Sequence, residues 1–246
     1  MNILILGGTA EARHLANRLV AIGLQVTTSL AGRTQAPLLP QGAVRIGPFG
    51  GVAGLCDYLR ANGTERLVDA THPYAGRISG NAVEAAAQTA VPLVRFMRPP
   101  WTPLPGQEWT SADDAGQAAE ALPRGAKVLL TIGHAGLDHF VARADCQLFL
   151  RVIEAPDLAL PAHVQMIQSR PPYALEDEIG LMRDHGITHL VSKNSGGSQT
   201  AAKLEAAHKM GVQVLMIARP AYNAALEVAD IEAVLEALNA DAPSLG

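Results

Sequence analysis

The stretch Met1-Asn-Ile-Leu-Ile-Leu6-Gly7-Gly8-Thr9-Ala10-Glu11-Ala12 organises the rest of the chain. Its first half is an apolar run of strand length, and a helical pattern begins directly after the two glycines, so the stretch reads strand, tight turn, helix. Glycine lets the backbone turn sharply and approach a ligand closely, while the free N–H groups and positive dipole end of the helix face whatever anion sits there. A phosphate is the obvious guest of Gly7, Gly8, Thr9, Ala10 and Glu11. Ala12, Leu15, Ala16, Leu19 and Val20 form a stripe with the period of a helix, for packing on a sheet, and Gly23 is well placed to stop that helix. The full G-x-G-x-x-G spacing of a dinucleotide fingerprint is absent, so the motif by itself is equally compatible with a tight structural turn.

At 246 residues the chain is long enough for one large domain or two small ones, and two are expected. Hydrophobic residues make up 48% and charged residues only 17%, so much of the chain should be buried. Val128-Leu129-Leu130 and Val212-Gln-Val-Leu-Met-Ile217 are near-continuous apolar runs of the kind that suit parallel strands covered on both faces. A net charge of −4 gives no reason to expect nucleic acid or an anionic membrane as a partner. No apolar run approaches membrane-spanning length and the first residues lack a secretory pattern, which points to a cytoplasmic protein. Cys56 and Cys146 form no C-x-x-C pair and read as small buried hydrophobes.

Along the chain, strands are expected at Leu24 to Ser29, Val44 to Ile46, Leu67 to Ala70 and Val91 to Phe96, separated by helices after Gly51 and near Ile78 to Thr89. Strands alternating with helices at short spacing mean βαβ units and a parallel sheet. Pro99, Pro100, Pro103 and Pro105 cluster with Trp101 and Trp109, and mark a domain boundary before a helix expected near Ser111 to Leu122. The second half repeats the grammar: a strand from Val128 to Ile132, a Gly133-His134-Ala135-Gly136 turn, strands near Leu148 to Ile153 and Val164 to Ser169, and a helix from Leu175 to His185. Leu67 and Leu190 stand 123 residues apart, Arg98-Pro99 and Arg219-Pro220 121 apart, and the glycine turns at Gly7 and Gly133 126 apart. Two similar α/β lobes follow from this near-repeat, although short α/β segments also resemble one another without duplication.

In doubly wound sheets, ligands sit beyond the carboxyl ends of the strands. An NAD site usually carries Asp or Glu about 20 residues past the glycine turn, for the ribose 2′-hydroxyl. Here Ser29, Gly32 and Arg33 stand there instead. A hydroxyl and a guanidinium suit a 2′-phosphate, so NADPH is the expected cofactor; the alternative is that Arg33 is an ordinary surface arginine. Gly50 belongs to a third glycine-bearing loop, Gly47 to Gly51. In Asp69-Ala-Thr-His-Pro-Tyr74, His72 is able to transfer a proton and Tyr74 to stack on or bond a ligand. The alternative has Asp69 capping the turn and His72 bonded to backbone. Lys193-Asn-Ser-Gly-Gly197 offers a cation, polar groups and glycines suited to a carboxylate or phosphate, or is a plain β–α turn. No G-x-S-x-G, H-E-x-x-H or Walker motif is present, and the scattered histidines predict no protein-bound metal.

Taken together, Gly7 to Glu11, Ser29 to Arg33, Phe49-Gly-Gly51, Asp69 to Ala75 and Lys193 to Gly197 resemble the precorrin-6A reductase family of cobalamin biosynthesis. The resemblance spans most of the chain, with the stretch from Leu137 to Ala174 carried by position alone. It implies an NADPH-dependent oxidoreductase that adds hydride to one double bond of a tetrapyrrole, giving precorrin-6B. It also implies an α/β fold of two Rossmann-like doubly wound lobes with parallel sheets and an intervening cleft: 1–105 binding NADPH and 106–246 as the C-terminal lobe. Gly7, Gly8, Thr9, Ala10, Glu11, Ser29, Gly32, Arg33 and Gly50 would hold the cofactor, and the candidate catalytic residues are His72, Tyr74 and Lys193, with solvent as a fourth source of the proton. Arg13, Arg77, Arg98, Arg170, Lys193 and Arg219 lie near expected loop ends, where fixed cations can meet the substrate's acetates and propionates. A monomer acting on a small tetrapyrrole is the expected state. Another NADP-dependent oxidoreductase with a smaller substrate, or a non-catalytic two-lobed binding protein, remains open at this point.

Overall fold

The structure, a computed structural model, describes residues 1–32, 37–157 and 159–240, with backbone only for Ala240. In chain order the first elements are β1 (Asn2–Leu6), α1 (Ala10–Ala21), β2 (Gln25–Leu30), β3 (Ala43–Ile46), α2 (Gly51–Ala61), β4 (Arg66–Asp69), α3 (Gly76–Thr89) and β5 (Leu93–Phe96). Next come β6 (Trp109–Ala112), α4 (Ala115–Glu120), β7 (Lys127–Thr131), α5 (Leu137–Val141), β8 (Gln147–Val152), β9 (Val164–Gln168), α6 (Leu175–His185), β10 (His189–Lys193), α7 (Ala202–Met210) and β11 (Gln213–Ile217). The chain ends its described course with β12 (Leu226–Val228) and α8 (Ile231–Ala240).

Two compact units result among the described residues, one running to Pro99 and resuming from Pro220 to Ala240, the other from Pro100 to Arg219. The first holds a parallel sheet of order β12-β5-β4-β1-β2-β3, the second a parallel sheet of order β6-β11-β10-β7-β8-β9. Both are doubly wound α/β layers. In the first, Ile3 and Ile5 point to one face and pack with Leu15 and Leu19 of α1 and Val234 and Leu238 of α8. Leu4 and Leu6 point to the other and meet Leu55 and Leu59 of α2 and Ala82 and Ala85 of α3. A strand covered on both sides must be apolar at successive positions, which is why Ile3-Leu-Ile-Leu6 lacks the polar alternation of a half-exposed strand. The second unit builds an equivalent layer, in which Leu129, Phe149 and Leu190 pack against Met182 and Leu204.

The two strand orders are the same once equivalent strands are matched, and the edge strands are exchanged. β6 follows β5 in the chain but lies beside β11; β12 follows β11 but lies beside β5. Both crossings fall at the repeated Arg-Pro pairs, between Pro99 and Pro100 and between Arg219 and Pro220. The second unit therefore differs from the expected lobe of 106–246: residues 220–240 return to the first sheet, where α8 buries Val234 and Leu238. The helix expected from Ser111 starts at Ala115, because Trp109–Ala112 is drawn into the sheet beside β11 and Asp114 caps the helix by accepting from Gln117 N at 2.9 Å. After the Gly133–Gly136 turn comes α5, a short helix where only a turn and a strand were expected.

Candidate functional site

In the first sheet the strand order reverses between β1 and β4, and the loops that follow these two strands meet there. Thr9 ties them together. Its hydroxyl caps α1 by accepting from Ala12 N at 3.0 Å and donates to Ala70 O of the β4 loop at 3.1 Å. Gly7 N donates to Ser29 O at 2.9 Å, and a Cβ on Gly7 would stand 2.8 Å from the Thr28 methyl. Gly8 has φ +114°, a conformation that side chains resist. The turn thus keeps its backbone bare in front of the N-terminus of α1, the arrangement that suits a phosphate. Ala10 is the first residue of that helix, and Glu11 in its first turn forms an ion pair with Arg98. Thr9, Glu11, Thr71, Pro73, Phe96 and Arg98 line a small depression at this edge.

One strand further out, Ser29 is buried near the end of β2, and its hydroxyl accepts from Arg45 Nη1 at 2.9 Å. Gly32 follows with φ +76°, and a Cβ there would press on Ile46 at 3.1 Å. Gly50 sits in the loop after β3 with φ +85° and leads into α2 without a side-chain cap. Arg33, expected to bind the cofactor, lies outside the described residues.

Asp69 ends β4 in a buried position. Its Oδ1 accepts from Thr71 N at 3.2 Å and Thr71 Oγ1 at 2.7 Å, and its Oδ2 faces Arg95 Nε at 3.5 Å. Arg95 also donates to Asn223 O at 3.0 Å and lies 4.7 Å from the Tyr222 ring, while the Tyr222 hydroxyl donates to Pro73 O. Asp69 is thus a scaffold for the loop rather than part of its exposed surface. The loop presents His72 and Tyr74, whose rings stand 5.8 Å apart, with His72 Nδ1 accepting from Tyr74 N at 3.3 Å. An acceptor Nδ1 leaves the proton of a neutral imidazole on Nε2. Both residues have further interactions and neither is isolated.

Among the predicted site residues, then, Gly7 to Glu11, Ser29, Gly32, Gly50, His72 and Tyr74 lie at the carboxyl edge of one sheet. Lys193 lies at the carboxyl end of β10 in the second unit. Its ammonium donates to Ile132 O at 2.6 Å and Ala135 O at 3.3 Å, clasping the Gly133 to Gly136 turn. Beside it, Asn194 bonds both Trp101 N and Trp101 O, and Arg219 Nε donates to Asn194 O at 2.7 Å. No group of His, Cys, Asp and Glu side chains among the described residues is arranged to hold a metal ion. No described helix is long and apolar enough to cross a membrane. Arg45, Arg95 and Tyr222 were missed in the sequence. Arg45 was visible in principle, since it stands in register with Ser29 once β2 and β3 are paired; Tyr222 follows the second Arg-Pro and carries no local signal.

Two parallel doubly wound units, the first with a bare glycine turn at its switch point, define a Rossmann-like α/β protein, and comparison with known proteins narrows the class to oxidoreductases. The family described as Precorrin-6x reductase CbiJ/CobK matches residues 2–239, and the chain belongs to it. It is 49% identical over 230 residues to the precorrin-6A reductase of Rhodococcus erythropolis, covering 93% of each chain. It is 43% identical over 235 residues to that of Rhodobacter capsulatus, covering 95% of this chain and 94% of the relative. A solved structure of CobK precorrin-6A reductase superposes with a TM-score of 0.93 at 43% identity, covering 98% of this chain and 97% of the other.

Proposed function

We propose that this chain reduces precorrin-6A to precorrin-6B with NADPH, in cobalamin biosynthesis. The substrate assignment is supported by relatives of that name at 49% and 43% identity over nearly their whole length. The observation that carries the cofactor assignment is the edge formed by the Gly7–Thr9 turn and the end of β2 at Ser29. Gly7 and Gly8 allow a pyrophosphate to approach the backbone, and the N–H groups at the start of α1 offer it donors. Near the end of β2 stands the Ser29 hydroxyl where an NAD site usually carries a carboxylate, and a hydroxyl suits a 2′-phosphate that a carboxylate would repel.

When bound, the cofactor supplies a hydride to one carbon of a substrate double bond. The neighbouring carbon must receive a proton, so the product gains one hydride and one proton. In this reading His72 and Tyr74 border the reacting ring, with His72 Nε2 or the Tyr74 hydroxyl as the proton source. Lys193 contributes a fixed positive charge for a substrate carboxylate, steadied by the carbonyls of Ile132 and Ala135. Held substrates react faster because the donor and acceptor carbons are already aligned, and misplacement by about 1 Å can cost on the order of a hundredfold. The same reading takes the enzyme to be a cytoplasmic monomer whose partner is the tetrapyrrole. The test is anaerobic incubation with precorrin-6A and NADPH, following cofactor absorbance and product mass; no change in either overturns the assignment.

A further inference from the structure

Arg45 is a cation held in place with an edge to spare. It stands in parallel register with Ser29, on the same face of the sheet. Its Nη1 donates to Ser29 Oγ at 2.9 Å and Gly47 O at 2.8 Å, and its Nη2 donates to Pro48 O at 3.0 Å. The guanidinium lies over the Phe49 ring, 3.8 Å from its centroid, and 5.4 Å from the Tyr58 ring. Phe49 is itself fixed: its ring meets Tyr58 edge-on at 5.3 Å, and its carbonyl closes on Gly54 so tightly that a Cβ there would stand 1.7 Å away. Both aromatic faces stabilise the charge and hold the guanidinium plane.

The partners of Arg45 among the described residues are neutral oxygens and aromatic rings, and no described carboxylate pairs with it. The Nε–H has no protein acceptor among these residues, and Nη2 keeps one N–H beyond its bond to Pro48 O. These are donors with which arginine contacts a phosphate. Its position matters as much as its chemistry, because the end of the second strand of a doubly wound sheet is where the ribose 2′ substituent is read. We infer that Arg45, together with Ser29, binds the 2′-phosphate of the cofactor and sets the preference for NADPH over NADH. This rests on the NADPH-dependent reading above and adds the residue that enforces it.

The test compares adenosine 2′,5′-bisphosphate with adenosine 5′-monophosphate, which differ only in the 2′-phosphate, by calorimetric titration of the full chain. Wild type should bind the bisphosphate at least about tenfold more tightly. Arg45→Met keeps the apolar stem and should weaken the bisphosphate by about tenfold to a hundredfold, leaving the monophosphate unchanged. Arg45→Lys should recover only part of the preference. If Arg45→Met keeps the wild-type ratio, or weakens both ligands equally, Arg45 merely closes the β3–α2 turn and the inference is overturned while the NADPH reading stands. If wild type itself fails to prefer the bisphosphate, the NADPH reading falls and the inference with it. Should Arg45→Met not fold, Arg45→Lys decides: an unchanged ratio overturns the inference and a severalfold fall sustains it.

Discussion

Arg95 Nε faces Asp69 Oδ2 at 3.5 Å, and both residues are shut away from water, at 2% and 1% exposure. Such a pair contributes less than its Coulomb attraction suggests, because both charges have lost their hydration, and removing Asp69 leaves the Arg95 guanidinium, among the described residues, only the half-exposed Glu227 carboxylate at 4.0 Å as a counter-charge. Asp69→Ala should therefore destabilise the first unit by about 3–5 kcal/mol, toward the lower figure because Asn223 O and the Tyr222 ring still serve Arg95. The measurement is urea unfolding of the free protein. A loss under about 1 kcal/mol would contradict a scaffolding role for the pair.

The glycine turn makes a separable prediction. A Cβ at Gly8 would touch nothing within 4 Å, so Gly8→Ala acts through its φ of +114° alone, at a cost of about 1–3 kcal/mol. Gly7→Ala acts through crowding against Thr28 instead. Thermal melts should show the strain in the first variant, and NADPH titration should show weaker binding in both. Unchanged affinity in both would remove the turn from the cofactor site.

Steady-state kinetics with precorrin-6A separate the roles assigned to the remaining side chains. Loss of the proton donor should lower kcat by about 10²–10⁴ and abolish one limb of the pH profile, so either His72→Ala or Tyr74→Phe should do this. Lys193→Ala should raise KM. If KM is unchanged and only thermal stability falls, the ammonium has a structural role, holding the Ile132 and Ala135 carbonyls, and does not bind substrate.

The β1–turn–α1 start was legible because its signals are local: an apolar run, two glycines and a helical stripe within a few residues of one another. The two lobes were legible from the same grammar repeated. The exchange of β6 and β12 was not, because a short edge strand such as Leu226–Val228 is chosen by its neighbour β5 and by the chain's return after Arg219, and neither is written in its own residues. Site residues followed the same division. Gly7, Ser29 and His72 sit at or just past strand ends that periodicity can locate, whereas Arg45 becomes a candidate only through its register with Ser29, and Arg95 stands out only through a side chain buried against Asp69.

Burial holds the His189 imidazole below its usual pKa near 6.5, and Thr188 Oγ1 contacts its Nδ1 at 2.8 Å. The folded protein thus resists protonation that the unfolded chain accepts, so the stabilisation is complete above about pH 6.5 and is lost as the pH falls below it. Denaturation midpoints of the second unit should drop with falling pH in that window, and His189→Gln should flatten the slope. An identical slope in the variant would assign the effect elsewhere.

Hydride transfer from NADPH to the macrocycle leaves an isotopic trace in the product. Precorrin-6A is incubated anaerobically with the protein and NADPH deuterated at both C4 positions of the nicotinamide, and the product is weighed against that from unlabelled NADPH. The expected result is a reduced product carrying one deuterium from the cofactor. A reduced product without deuterium, or no product while precorrin-6A and NADPH both persist, would contradict it.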